Sequence, residues 1–150
     1  MEPRILDAIS SPRDLKVLTE DELGILANEI RQEIVAVTSR TGGHVASSLG
    51  AVEIILALHS LLDCPKDKIV FDVGHQAYAH KLVTGRLDAF KTLRQYEGLS
   101  GFTKPDESPY DRPPHTGSRK PSDGNHWPCA AAEASPSSPP SSKCWASRQY

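Results

Sequence analysis

Apolar residues recur every three or four positions in the first third of the chain, which predicts an amphipathic helix of about 20 residues. Thr19 followed by Glu22 forms a capping box, which places the start of this helix after Thr19. We expect the helix to end before the glycine loop at 41–43, and the preceding segment 1–18 to turn at 10–12. The apolar positions of the helix are Leu23, Leu26, Ile30, Ile34 and Val37.

A second helix is predicted from Ser47 or Ser48, as the N-cap residue, to about Leu62. Apolar residues cover most of its circumference, so we expect it to be buried on several sides or to lie in a subunit interface. His59 lies inside this apolar helix. We therefore expect a hydrogen-bonded core or interface histidine there rather than a ligand.

The rest of the apolar pattern predicts one strand and two short helices. Residues 68–74 are rich in β-branched and apolar residues, which is typical of a buried, parallel strand. Further helices are predicted from about 76 to 85 and from 87 to 96. This order indicates an α/β fold, and a single strand implies that the sequence is part of a larger domain.

Composition divides the chain into two parts. Residues 109–150 contain no Leu, Ile, Val, Met or Phe, but hold 8 of the 12 Pro and 8 Ser. A tail of this composition cannot bury enough apolar surface to offset its ordering entropy, so disorder is predicted. Two features of the tail favour other interpretations more weakly than disorder. A PxxP match at 136–139 is typical of a polyproline ligand, and His126, Cys129 and Cys144 could belong to a metal knuckle.

Charge and cysteine content narrow the classes of partner and compartment. The net charge of −2 and the pI of about 6.3 argue against a nucleic-acid-binding surface. No stretch is long and apolar enough for a membrane span, and the start lacks the apolar core of a signal peptide. Three scattered cysteines indicate no disulfide framework. We therefore predict a cytoplasmic protein.

Two segments carry candidate chemistry. The first, 41–50, joins a glycine loop, His44 and paired serines at a helix N-terminus. This arrangement is suited to binding an anion such as phosphate or to acid–base catalysis. The alternative is an ordinary loop and helix cap. The second places His75 just after the predicted strand, where α/β sheets bind ligands. Asp72 could orient an imidazole or cap the next helix, and Lys81 is expected on a solvated face. No metal-binding spacing is present among these histidines.

A third segment, 98–108, predicts only an irregular surface loop. Three motifs taken together are, however, specific to one family. They are GGHVASSLGAVEIILALH at 42–59, DKIVFDVGHQAYAHKLVTGR at 67–86 and LRQYEGLSGFTKPDESPYD at 93–111. In this order and spacing they resemble the 1-deoxy-D-xylulose-5-phosphate synthases, thiamine-diphosphate enzymes of the transketolase superfamily.

The resemblance implies a partial thiamine-diphosphate-binding domain at 1–111, with a parallel sheet flanked by helices, and a tail at 112–150. It implies a homodimeric transferase that condenses pyruvate with glyceraldehyde 3-phosphate, with loss of carbon dioxide, for isoprenoid, thiamine and pyridoxal biosynthesis. The cofactors implied are thiamine diphosphate and Mg²⁺. Carried over by position, the resemblance implies that His44 and His75 are catalytic and that His75 and Ser47 bind the cofactor. It implies that Asp72 and Tyr78 support the site residues or pack beside them. No metal ligand is assigned.

The likeness stops after Asp111. The family continues with a Gly-His-Ser/Ala-Ser segment, whereas this chain has Gly117-Ser118-Arg119-Lys120. Deleting one base from the codons GGN TCA CGC AAG, and borrowing the C that begins Pro121, gives Gly-His-Ala-Ser. One hypothesis is therefore a shifted reading frame.

We expect this fragment to be inactive alone, because the family's metal ligands and activating glutamate lie elsewhere. The alternative is a non-enzymatic fragment that pairs with a full-length subunit. A plastid location would require a transit peptide upstream of Met1.

Overall fold

The computed structural model describes residues 4–112. In this range the chain forms helices α1 (Ile5–Ala8), α2 (Glu20–Thr41), α3 (Val45–Gly50), α4 (Val52–Leu61), α5 (Tyr78–Val83) and α6 (Leu87–Phe90), with a 3₁₀ helix at Pro12–Val17. The prediction of a disordered or frame-shifted tail lies outside the described residues, apart from Arg112.

Helix α2 is the central element; its predicted start is confirmed, and it runs one residue further than predicted, to Thr41. The Thr19 hydroxyl accepts a hydrogen bond from the Glu22 amide at 3.3 Å, and the Glu22 carboxylate accepts one from the Thr19 amide at 2.8 Å. Gly42 follows as the C-cap residue, and its φ of 72° suits glycine. It packs against α1, α3, α4 and α5. Its fully buried residues include four of the five predicted apolar positions, Leu26, Ile30, Ile34 and Val37.

The leading segment is fixed on α2 through a carboxylate. The side chain of Glu29 accepts hydrogen bonds from the amides of Ile5 and Leu6, at 3.2 and 2.8 Å, and so satisfies two free amides at the start of α1. The turn predicted at 10–12 becomes the start of the 3₁₀ helix, with Ser11 as its N-cap.

The predicted second helix is two helices, and the prediction of a serine N-cap is wrong. Helix α3 begins at Val45 with His44 as the N-cap residue, and the chain breaks at Ala51 before α4. The Ser47 and Ser48 hydroxyls bind a carbonyl of another segment instead of capping a helix. Helix α4 buries one side of its surface, including His59, but leaves Ile54 and Leu61 63% and 82% exposed.

Within residues 4–112 no strand forms, so the predicted strand at 68–74 is not observed. Its central residues are not uniformly buried either, since Phe71 is buried and Val70 is half exposed. A strand requires main-chain hydrogen bonds to a neighbour. Helix α5 is shorter than predicted, and α6 ends at Phe90, where the chain continues in turns to Gly98.

Candidate functional site

Two histidines far apart in the sequence face each other at one end of α3. The ring centroids of His44 and His75 are 3.9 Å apart, with an angle of 42° between the rings. His44 is exposed and His75 is half-buried. The structure therefore brings together the two residues predicted to be catalytic and leaves at least one of them open to solvent.

Glycines and strained backbone shape the loops that carry these histidines. An added Cβ on Gly43 would lie 2.5 Å from the Tyr78 hydroxyl, so the loop can lie on this buried ring only without a side chain. Before His75, Val73 and Gly74 have φ values of 60° and 91°. A positive φ is unfavourable for a β-branched residue and is often found at functional sites.

Paired serines connect the two histidine segments. The hydroxyls of Ser47 and Ser48 donate to the main-chain carbonyl of His75, at 3.2 and 2.8 Å. Ser47 is exposed, whereas Ser48 is fully buried. The predicted site residue Ser47 is thus close to His75, and Ser48, which was predicted only as a possible cap, anchors the same turn.

The loop at 98–108 completes this surface. The ring of Phe102 lies 5.3 Å from that of His75. Phe102 is 41% exposed, so an apolar ring lies at the surface beside the imidazole. Asp72, in contrast, is exposed, and its main-chain carbonyl binds the Gly74 amide at 2.7 Å.

A cluster of buried charges joins α5 and the turn after it to Glu107 and Asp111, and the expectation of a solvated Lys81 is wrong. Lys81 is fully buried, and its ammonium group donates to Glu107 at 2.7 Å. Arg86 donates two hydrogen bonds to Asp111, at 2.7 and 2.9 Å. A buried ammonium or guanidinium is tolerated when it is paired in this way. Burial lowers the pKa of Lys81, although its hydrogen bond to Glu107 opposes this shift.

Asp111 is hydrogen-bonded to His80, which is in turn hydrogen-bonded to His59. Its carboxylate lies 3.2 Å from Nε2 of His80, and Nδ1 of His80 lies 2.8 Å from Nε2 of His59. Burial would raise the pKa of Asp111, but hydrogen bonds from His80 and Arg86 outweigh it and keep this pKa well below its usual range. Asp111 is therefore ionised, and its carboxylate accepts a hydrogen bond from the Nε2–H group of His80.

The tautomers of His59 and His80 follow from the sequence of hydrogen bonds from His59 through His80 to Asp111. Burial lowers the pKa of each, that of His59 to about 3, so both are neutral at pH 7. Neutral His80 has a proton on Nε2 and accepts on Nδ1, so His59 must donate from Nε2. Nδ1 of His59 then has a lone pair, and within residues 4–112 it has no hydrogen-bond partner. His59 is a core histidine as predicted, but it is satisfied at one nitrogen only.

Among the described residues, no group of three or more His, Cys, Asp and Glu side chains could hold a metal ion. In the same range, no helix is long and apolar enough to cross a membrane.

Comparison with known proteins decides the family. The family described as 1-deoxy-D-xylulose-5-phosphate synthase matches residues 6–119. The chain belongs to this family. The match includes all three motifs identified in the sequence and every residue assigned above to the candidate site.

Individual synthases are similar over the same region. The chain is 65% identical over 107 residues to the 1-deoxy-D-xylulose-5-phosphate synthase of Thermus thermophilus, and 68% identical over 108 residues to synthase 2 of Geobacter sulfurreducens. The synthase of Dehalococcoides mccartyi is 61% identical over 108 residues. These regions are 71 or 72% of this chain and 17% of each relative. The chain thus matches about one sixth of the length of these synthases.

Sequence reasoning missed several residues that the fold brings to the site or beneath it. Arg86 and Asp111 were visible only as the ends of two family motifs, and their pairing joins positions 25 residues apart. Phe102 lies in the segment 98–108, which local sequence predicted only as an irregular loop. Within the described residues, apolar periodicity identifies the core, but polar pairings across the chain have no comparable periodic signal.

Proposed function

We propose that residues 4–112 form part of the thiamine-diphosphate-binding domain of a 1-deoxy-D-xylulose-5-phosphate synthase, an α/β domain whose parallel sheet needs further strands. The observation that carries the proposal is the approach of His44 to His75, with Ser47 bound to the same turn. The whole enzyme would be a homodimer that condenses pyruvate with glyceraldehyde 3-phosphate and releases carbon dioxide.

The donor set of this site fits an anionic cofactor. Imidazole N–H and hydroxyl groups donate hydrogen bonds to phosphate oxygens, and the loop at 42–43 allows close approach of a ligand to the backbone. His75 would hold the diphosphate of thiamine diphosphate. Ser47 would join it once its hydroxyl proton turns from the His75 carbonyl to a phosphate oxygen. The exposed imidazole of His44 would hold or accept a proton beside the substrate. Thiamine diphosphate, when bound, supplies the carbanion chemistry of the reaction.

Within residues 4–112 no group of three or more His, Cys, Asp and Glu side chains could hold Mg²⁺, so no ligand for the metal is assigned in this range.

A binding measurement tests the role of the histidine site. Thiamine diphosphate should shift the ring resonances of His44 and His75 in the full 150-residue chain, whereas thiamine without its diphosphate should not. Ser47→Ala should weaken this effect, and Ser39→Ala, which removes an exposed hydroxyl on α2, should not. Equal shifts with thiamine, or none with either compound, would remove the support for a diphosphate site.

We further propose that this chain alone does not turn over pyruvate and glyceraldehyde 3-phosphate. The described residues contribute one surface of a site, without a group of three or more His, Cys, Asp and Glu side chains that could hold a metal ion. The test is an assay of the purified chain with both substrates, thiamine diphosphate and Mg²⁺. Formation of 1-deoxy-D-xylulose 5-phosphate at a rate comparable to that of a full-length synthase would refute it.

The second candidate function is a non-enzymatic fragment that pairs with a full-length subunit. The exposed Ile54 and Leu61 favour it, since they are seven residues apart and share one face of α4. If this face binds a synthase subunit, the chain should co-purify with a full-length synthase, and Ile54→Asp should abolish the complex. Co-purification that survives this substitution would exclude α4 as the contact.

For residues 112–150 we retain the proposal of a shifted reading frame or a disordered tail. The coding DNA across Thr116 to Pro121 distinguishes them: the first requires that a single-base correction restores the family sequence downstream. A cytoplasmic location stays a prediction.

A further inference from the structure

The segment 98–112 is held by two acidic residues, each of which bonds both inside the segment and to the helical core. Glu107 accepts one hydrogen bond from the Ser100 amide at 2.8 Å and another from Lys81 at 2.7 Å. Asp111 accepts one from the Lys104 amide at 2.7 Å and two from Arg86. Each carboxylate therefore shapes the loop and attaches it to residues of α5 or the turn after it.

These contacts are largely shielded from water. The side chains of Lys81 and Asp111 are fully buried, that of Arg86 is 9% exposed and that of Glu107 is 16% exposed. The cluster has two cations and two anions besides the neutral histidines, so its formal charges cancel. A buried ion pair contributes little net stability, but removal of one partner leaves an uncompensated charge. Such a cluster favours one geometry of the loop over others.

Phe102 lies between the two amides that the carboxylates hold, those of Ser100 and Lys104. An added Cβ on Gly74 would lie 3.6 Å from Cδ1 of Phe102 and 3.7 Å from the Thr103 amide, so the loop packs directly on the turn before His75. The ring centroid of His75 lies 5.3 Å from that of Phe102 and 3.9 Å from that of His44, so His75 contacts both rings. The position of the segment 98–112 therefore affects the orientation of the His75 imidazole.

We propose that Lys81, Arg86, Glu107 and Asp111 are positioning residues, which lock the segment 98–112 so that Phe102 sets the orientation of the His75 ring against His44. The catalytic meaning of this arrangement rests on the proposed function. The positioning itself is a property of this chain in the absence of any ligand.

The experiment measures the contact directly in the full chain without cofactor. Nuclear Overhauser effects between the ring protons of Phe102 and His75 should be present, with the His75 resonances shifted by the aromatic ring. Glu107→Ala should abolish these effects while the amide resonances of α2 stay in place. The matched control is Asp106→Ala, the neighbouring exposed acid, which should keep them.

Retention of the Phe102–His75 effects in Glu107→Ala overturns the proposal, and so does their loss in both variants. If Glu107→Ala does not fold, Phe102→Leu decides, since it leaves the four charged residues intact. Unchanged Overhauser effects between the ring protons of His44 and His75 in that variant would contradict positioning by Phe102, whereas loss of these effects would support it. Because no cofactor is added, this result and the thiamine diphosphate titration can fail independently.

Discussion

Acidification from pH 7 to pH 5 is expected to destabilise this chain through the buried histidine pair. In an unfolded chain His59 takes up a proton near its ordinary pKa of 6.5, but burial and the neighbouring His80 and Arg86 lower its pKa to about 3 in the folded chain. Between these values the unfolded chain holds the proton and the folded chain does not. Falling pH therefore favours unfolding, and the stability present above pH 6.5 is lost as the pH approaches 3.

The magnitude follows from the distance between the test pH and the ordinary pKa. pH 5 lies about 1.5 units below the pKa of an unperturbed histidine, and each unit corresponds to about 1.4 kcal/mol. His59 alone should thus lower the free energy of unfolding by about 2 kcal/mol between pH 7 and pH 5. The pKa of His80 is also lowered by burial, so its contribution has the same sign. Asp111 contributes only below pH 5, because its stabilising effect is lost from its ordinary pKa of 3.8 downward and its pKa in the folded chain is lower still.

Urea unfolding of the full chain at several pH values between 7 and 5, followed by circular dichroism, measures this loss. His59→Gln cannot be protonated but keeps an N–H donor for Nδ1 of His80, so its loss should be smaller by about 2 kcal/mol. His44→Gln also removes one histidine but leaves the buried pair intact, and it serves as the control. Parallel curves for the natural chain and His59→Gln would refute the assignment of His59 as a buried, neutral imidazole.

Three further predictions concern stability and use the same unfolding measurement. Thr19→Ala removes the cap of α2 and should cost about 1 kcal/mol; an unchanged midpoint would contradict the cap. Gly24→Ala should stabilise α2 by up to about 1 kcal/mol, because nothing lies within 4 Å of the added methyl group, whereas Gly43→Ala should destabilise the chain, because its Cβ would overlap Tyr78. Equal effects of the two would contradict this packing. Ile34→Ala should cost about 2 to 5 kcal/mol, because the side chain is fully buried, and a loss below 1 kcal/mol would argue against its core position.

Local sequence determined the elements whose signals lie within a few residues. The Thr19–Glu22 pair and the apolar spacing of α2 specify where that helix begins and which face it buries, since capping and periodicity act between neighbours in the chain. The resemblance of the motifs to the family also predicted His44, Ser47 and His75 as site residues, and their roles stay predictions.

Only the tertiary structure decided what these residues contact. The serines predicted as caps bind the carbonyl of His75, because a hydroxyl takes the acceptor that the fold brings to it. The strand expected at 68–74 does not form in residues 4–112, because a strand depends on a paired neighbour and apolar composition alone does not supply one. Lys81, expected in solvent, is buried because Glu107, 26 positions later, neutralises it. Apolar and capping patterns are local in sequence, whereas charge pairing depends on distances that only the folded chain sets.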